Sequence, residues 1–172
     1  LGNGQNFLFG SIAADNTLTF ENPIDLNGAT RTFQVVDNSS SAADAAILSG
    51  VISTGSGTAG ILKTGNGTLR LSGVNTYNGP TTIAGGTLSV AADSALGAVP
   101  GSPTAGNIVI NGQLPVVGTN LPLSGALSAA GTFTLGGNRG IALGSGTSAP
   151  GVGTIDVGSG FTMAYNGIIA NA

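Results

Sequence analysis

The tripeptide Gly-Thr-Leu occurs at Gly67-Thr68-Leu69 and again at Gly86-Thr87-Leu88, nineteen positions apart. Each copy has a further apolar residue two places on, Leu71 and Val90, and Gly, Asn, Thr and Ser dominate the stretch between. A strand this short cannot bury its own apolar face, so a chain that repeats one at a set interval must stack the copies. Apolar pairs recur at Ile108/Ile110, Phe133/Leu135 and Ile155/Val157, at intervals of 19 to 25 residues. A β-solenoid has such a period: each coil lays short strands around a flattened tube, and the next coil pairs with it in parallel about 4.8 Å further along. The pattern predicts Leu69 over Leu88 and Leu71 over Val90. Thr68, Thr87, Arg70 and Ser89 then face outward, and Gly and Asn take the corners, where left-handed backbone costs them least.

Composition agrees. Among 172 residues, 31 are Gly and 41% are hydrophobic, so the chain is too apolar for disorder and too rich in Gly for long helices. Gly does not recur every third residue, which excludes collagen. Alternation bounded by turn residues predicts strands at 17–20, 31–36, 45–48, 60–63, 68–71, 81–83, 87–90, 107–110, 121–123, 132–135, 140–143, 154–157, 161–165 and 167–170. The best helical stretch is Ser40–Leu48, rich in Ala. The competing architecture is an antiparallel sandwich, which six Asn-Gly dipeptides, at 3–4, 27–28, 66–67, 78–79, 111–112 and 166–167, would suit as hairpin turns.

The four cations Arg31, Lys63, Arg70 and Arg139 are scattered, which argues against a nucleic-acid partner. No apolar run approaches the roughly 20 residues that cross a bilayer, so no membrane insertion by this segment is expected. The chain starts at Leu1 and shows no signal peptide, as expected of a segment of a longer polypeptide.

The run Gly60–Val90, "GILKTGNGTLRLSGVNTYNGPTTIAGGTLSV", resembles the passenger-associated repeat of bacterial autotransporters, also called the autotransporter-associated β-strand repeat. The match runs through Lys63, Gly65, Gly67, Thr68, Leu69, Leu71, Ser72, Gly73, Asn75, Thr76, Tyr77, Gly79, Thr82, Ile83, Gly86, Thr87 and Leu88; Pro80 departs from a position where a small residue is common. Gly50-Val51-Ile52 and Gly167-Ile168-Ile169 read as two copies of the coil that precedes such a repeat. The resemblance implies a right-handed parallel β-helix, exported to an extracellular or bacterial cell-surface location, and supplies no catalytic site.

With no His and no Cys, imidazole-based triads, thiol nucleophiles and the usual transition-metal ligands are unavailable. The acids Asp15, Glu21, Asp25, Asp37, Asp44, Asp93 and Asp156 fall in separate coils, mostly in turns, although paired acids could hydrolyse glycosides. Asp37 and Asp156 would meet near a cation only by accident of stacking. Tyr77, in Asn75-Thr76-Tyr77-Asn78-Gly79, reads as a corner aromatic, with Asn75 satisfying backbone groups; a sugar-stacking ring is the alternative. The Thr-x-Thr pairs Thr17/Thr19, Thr30/Thr32 and Thr132/Thr134 raise an ice-binding array but lack a constant period.

The sequence therefore predicts an all-β, right-handed parallel β-helix with coils of about 19–25 residues, a single solenoid segment over 1–172 with its repeat at 60–90. It predicts a non-enzymatic surface scaffold with no catalytic, cofactor-binding or metal-binding residues; the alternative is a glycan-binding or glycan-cleaving β-helix. Neither "LGNGQNFLFG" nor "NGIIANA" carries the charge or Pro that blunts an open sheet edge, so end-to-end docking, or cover by adjacent coils, is expected.

Overall fold

The computed structural model describes residues 5–41, 44–111, 124–144 and 153–171. Among them every paired strand is parallel to its neighbour, which excludes the sandwich. The chain winds as a solenoid with three sides. Face A is a seven-stranded sheet: β1 (Phe7–Phe9), β4 (Arg31–Val35), β7 (Ile61–Thr64), β9 (Thr81–Ile83), β11 (Thr104–Ile110), β14 (Arg139–Leu143) and β17 (Ile169–Asn171). Face B is a six-stranded sheet: β2 (Leu18–Phe20), β5 (Ala45–Leu48), β8 (Thr68–Leu71), β10 (Gly86–Val90), β12 (Gly125–Ala129) and β15 (Thr154–Val157). The third side holds the pairs β3 (Ile24–Asp25) with β6 (Ile52–Ser53) and β13 (Phe133–Leu135) with β16 (Met163–Tyr165). Between those pairs the third side is finished by residues 75–77 and by a 3₁₀ turn, Asp93–Leu96.

The repeated tripeptide falls in register as its spacing predicts. Leu69 pairs with Leu88 and Leu71 with Val90, and all four are fully buried. Thr68 and Arg70 stand opposite Thr87 and Ser89 on the outer side. Gly86 is a corner, with φ of 64° and the Gly65 and Gly67 carbonyl oxygens so close that a side chain there has no room.

The even spacing of apolar pairs mixes three sides of the tube, and the coil length is corrected accordingly. The face-B rung is Leu18, Ala46, Leu69, Leu88, Leu127 and Ile155, with steps from 19 to 39 residues. Ile108 and Ile110 belong to face A, on Thr81 and Ile83, and Phe133 and Leu135 belong to the third side, on Met163 and Tyr165. The strand β12 escapes an apolar scan because its inward residues are Gly125, Leu127 and Ala129. The strand expected at 45–48 forms as β5, with Ala46 and Leu48 inward, and stacking on β8 there outweighs the helix propensity of the Ala-rich stretch. Gly167-Ile168-Ile169 is not equivalent to Gly50-Val51-Ile52. Ile169 sits on the face-A rung with Ile141, whereas Ile52 is on the third side. The strand expected at 121–123 lies outside the described residues.

The core is a set of ladders along the tube. On face A, Phe7 stacks on Phe33 with ring centroids 4.9 Å apart, and Ile108 and Ile141 follow one another on the neighbouring rung. At the far end the same ladders are uncovered: Ile155, Val157 and Ile169 are 38%, 40% and 58% exposed, although they occupy rungs whose inner members are buried. Truncating Leu69 or Leu88 to Ala should cost about 2–5 kcal/mol, measured by urea unfolding, whereas Thr87→Ala on the outer side should cost under about 1 kcal/mol.

Candidate functional site

No active-site cluster forms among the described residues, and no group of three acids could hold a metal ion there. The acids are separated by the winding. Asp156 lies on β15, at one margin of face B, while Asp37 follows β4, next to the opposite end of face A. Asp25 accepts the Asn27 backbone N–H at 2.8 Å and Asp44 accepts that of Asn38 at 2.6 Å, as turn-forming carboxylates do. Asp156 takes a bond from the Ser128 hydroxyl at 3.4 Å. The three Thr pairs lie on face B, face A and the third side, so they form no continuous array with one another.

Asn75 and Tyr77 are structural. The Asn75 carboxamide accepts the Ile52 N–H at 2.8 Å and donates to the Ala95 carbonyl at 2.6 Å, clamping three successive laps. Tyr77 is fully buried, so its ring cannot stack on a sugar. Its hydroxyl meets Thr81 Oγ1 at 2.7 Å, and burial pushes its pKa well above the ordinary tyrosine value, against the opposing Thr81 bond and the charge of Arg139. Asn78 ties the corner to the lap before it, through Thr54 Oγ1 at 3.0 Å and the Gly57 carbonyl at 2.9 Å.

Three of the four cations lie inside the tube: Arg31, Lys63 and Arg139 are 0–1% exposed. Strand parity shows this in the sequence. Arg31 shares parity with Phe33 and Val35, Lys63 with Ile61, and Arg139 with Ile141, whereas Arg70 alternates with Leu69 and Leu71 and faces out. Arg139 is held by Asp93 Oδ1 at 2.8 Å, by Asn107 Oδ1 at 3.1 Å, and by the Leu96 and Gly97 carbonyls at 3.0 and 2.6 Å. It therefore bolts the 3₁₀ turn to the laps after it. Lys63 Nζ donates to the carbonyls of Thr64, Gly65 and Gly85 at 2.8, 2.9 and 3.0 Å. With no carboxylate beside it, burial lowers its pKa to about 8.

Among the described residues an open groove of about 520 Å³ runs between Asn78–Pro80 and the excursion at 98–107. Pro80, Val99, Pro100 and Thr104 line it, with no acid and no aromatic ring. It therefore lacks the pair of carboxylates with which glycosides are hydrolysed.

Two outcomes test the buried cations. Arg139→Met should destabilise by about 3–5 kcal/mol, because Asp93 and several carbonyls lose their partner. For Lys63 the folded pKa lies below the unfolded value of 10.5, so between pH 8 and 10.5 the unfolded chain binds more protons and stability rises with pH. Urea midpoints at about pH 7.5 and 9.5 should show a gain of about 1–2 kcal/mol that Lys63→Met abolishes.

Residues 61–90 match the family described as Passenger-associated-transport-repeat. The chain is also 35% identical, over 128 residues, to the adhesin BmaC autotransporter of Brucella suis biovar 1 (strain 1330). That alignment covers 64% of this chain and 4% of the relative, so the chain spans a small part of that protein's length. No solved structure matches. Both similarities are to autotransporter sequences, which indicates an extracellular or cell-surface setting. The stretch similar to the passenger-associated transport repeat, residues 61–90, is thus the one that carries both stacked Gly-Thr-Leu strands.

Proposed function

We propose that this chain is a non-enzymatic scaffold segment of a surface-displayed adhesin, extending the molecule and presenting its outer faces for contact. The observation that carries the reading is the repeat itself: residues 61–90 fold into more than one lap of a continuous parallel solenoid, and the side chains of Lys63, Asn75 and Asn78 within them are spent on holding laps together. The word adhesin in the relative's name supports adhesive contact as the role of the whole protein.

The tube's open edges support the second part of the proposal. Among the described residues β15, β16 and β17 are the last strands of their sheets, with exposed apolar residues on β15 and β17, and a further parallel lap, from the same polypeptide or a second copy, would continue every ladder. The isolated chain then associates end to end into fibres. A glycan-contacting role has one supporting observation, the groove beside Pro80 and Thr104, and it would be binding without cleavage.

Changing Asp15, Glu21, Asp25, Asp37 and Asp156 singly to the amide should leave adhesion of displayed protein to host surfaces or glycans within about twofold. Loss of a saturable glycan-degrading activity in any one variant would defeat the non-enzymatic reading. Light scattering and electron microscopy over a concentration series should show elongated assemblies. A monodisperse monomer at high concentration would defeat the end-to-end part alone.

A further inference from the structure

The Asn-Gly dipeptides have a chemical consequence separate from turn formation. An asparagine followed by glycine ages when the glycine nitrogen, deprotonated, attacks the side-chain Cγ. Ammonia leaves, a cyclic imide forms, and water reopens it to aspartate or isoaspartate. The attack needs the glycine N–H free and able to swing toward Cγ.

In three of the dipeptides that nitrogen is engaged by an adjacent lap. Gly28 N donates to the Thr54 carbonyl at 2.9 Å, Gly67 N to the Val35 carbonyl at 3.0 Å and Gly79 N to the Ala59 carbonyl at 2.8 Å. Gly67 and Gly79 are also buried, and Asn78 has its carboxamide tied at both ends. Attack there requires breaking the ladder that holds two laps together. At Asn166-Gly167 these restraints are missing. Asn166 is exposed, Gly167 is half-buried, and among the described residues the Gly167 N–H makes no hydrogen bond. The pairs at 3–4 and 111–112 lie wholly or partly outside the described residues.

We propose that Asn166 is a site of spontaneous deamidation in the folded protein, and that inter-lap bonding shields Asn27, Asn66 and Asn78. Its conversion places a negative charge, or an extra backbone carbon in the isoaspartate form, three residues before β17. The isoaspartate form would disturb the register of Ile169 on Ile141.

The test is peptide mass spectrometry of the full chain after incubation at about pH 8.5 and 37 °C, with circular dichroism reporting that it stays folded. Expected in the folded chain is a gain of about 1 Da at Asn166 at least about tenfold faster than at Asn66 or Asn78, because local opening limits those sites. In concentrated urea the rates at all four should converge. Gly167→Ala, which crowds the attacking nitrogen, should slow Asn166 alone. Equal rates at Asn66, Asn78 and Asn166 in the folded chain, or a stable Asn166, would overturn the proposal.

Discussion

Parallel backbone pairing between successive laps is the constraint on which the rest of this molecule depends. Strands of two to seven residues bury almost nothing alone, and among the described residues no α-helix supplies a second layer. Each lap is stable only because the laps above and below satisfy its N–H and C=O groups and cover its inward side chains. Register is therefore strict. A slip of one residue would turn Leu69 and Leu71 out and put Thr68 and Arg70 into the core.

That strictness explains which positions are special. Glycines are required where one lap's corner rests on another's backbone, as at Gly60, whose missing side chain leaves room for the Pro80 carbonyl. Polar side chains are buried where the ladder stops being regular. Asn75 bridges laps where the third side has no strand, Lys63 gathers three corner carbonyls, and Arg139 fastens the 3₁₀ turn. Each replaces backbone pairing that the winding cannot provide at that place.

The sequence makes the local unit legible and the winding less so. Thr68–Leu71, Thr81–Ile83 and Thr154–Val157 are strands with the expected limits, since alternation and flanking turn residues are local signals. Lap length is not local. The long step from Leu88 to Leu127 holds a 3₁₀ turn and a complete face-A strand, so Ile108 offers an apolar pair at the expected distance but on another side. The pairs Ile24–Asp25 and Ile52–Ser53 are too short to show alternation. The absence of an acid cluster follows from dispersal along the chain, whereas the burial of three cations required attention to strand parity rather than to composition.

The placement of those cations changes what the molecule presents to its surroundings. The sequence counts four positive and seven negative side chains. On the surface Arg70 is the sole exposed cation among the described residues, whereas the carboxylates Asp15, Glu21, Asp25 and Asp156 are all exposed. An approaching polyanion meets a wall that is more repulsive than the net charge suggests, over a range of about 8 Å at physiological salt. A surface that hides its positive charge in its own scaffold offers a polyanion little positive charge to pair with.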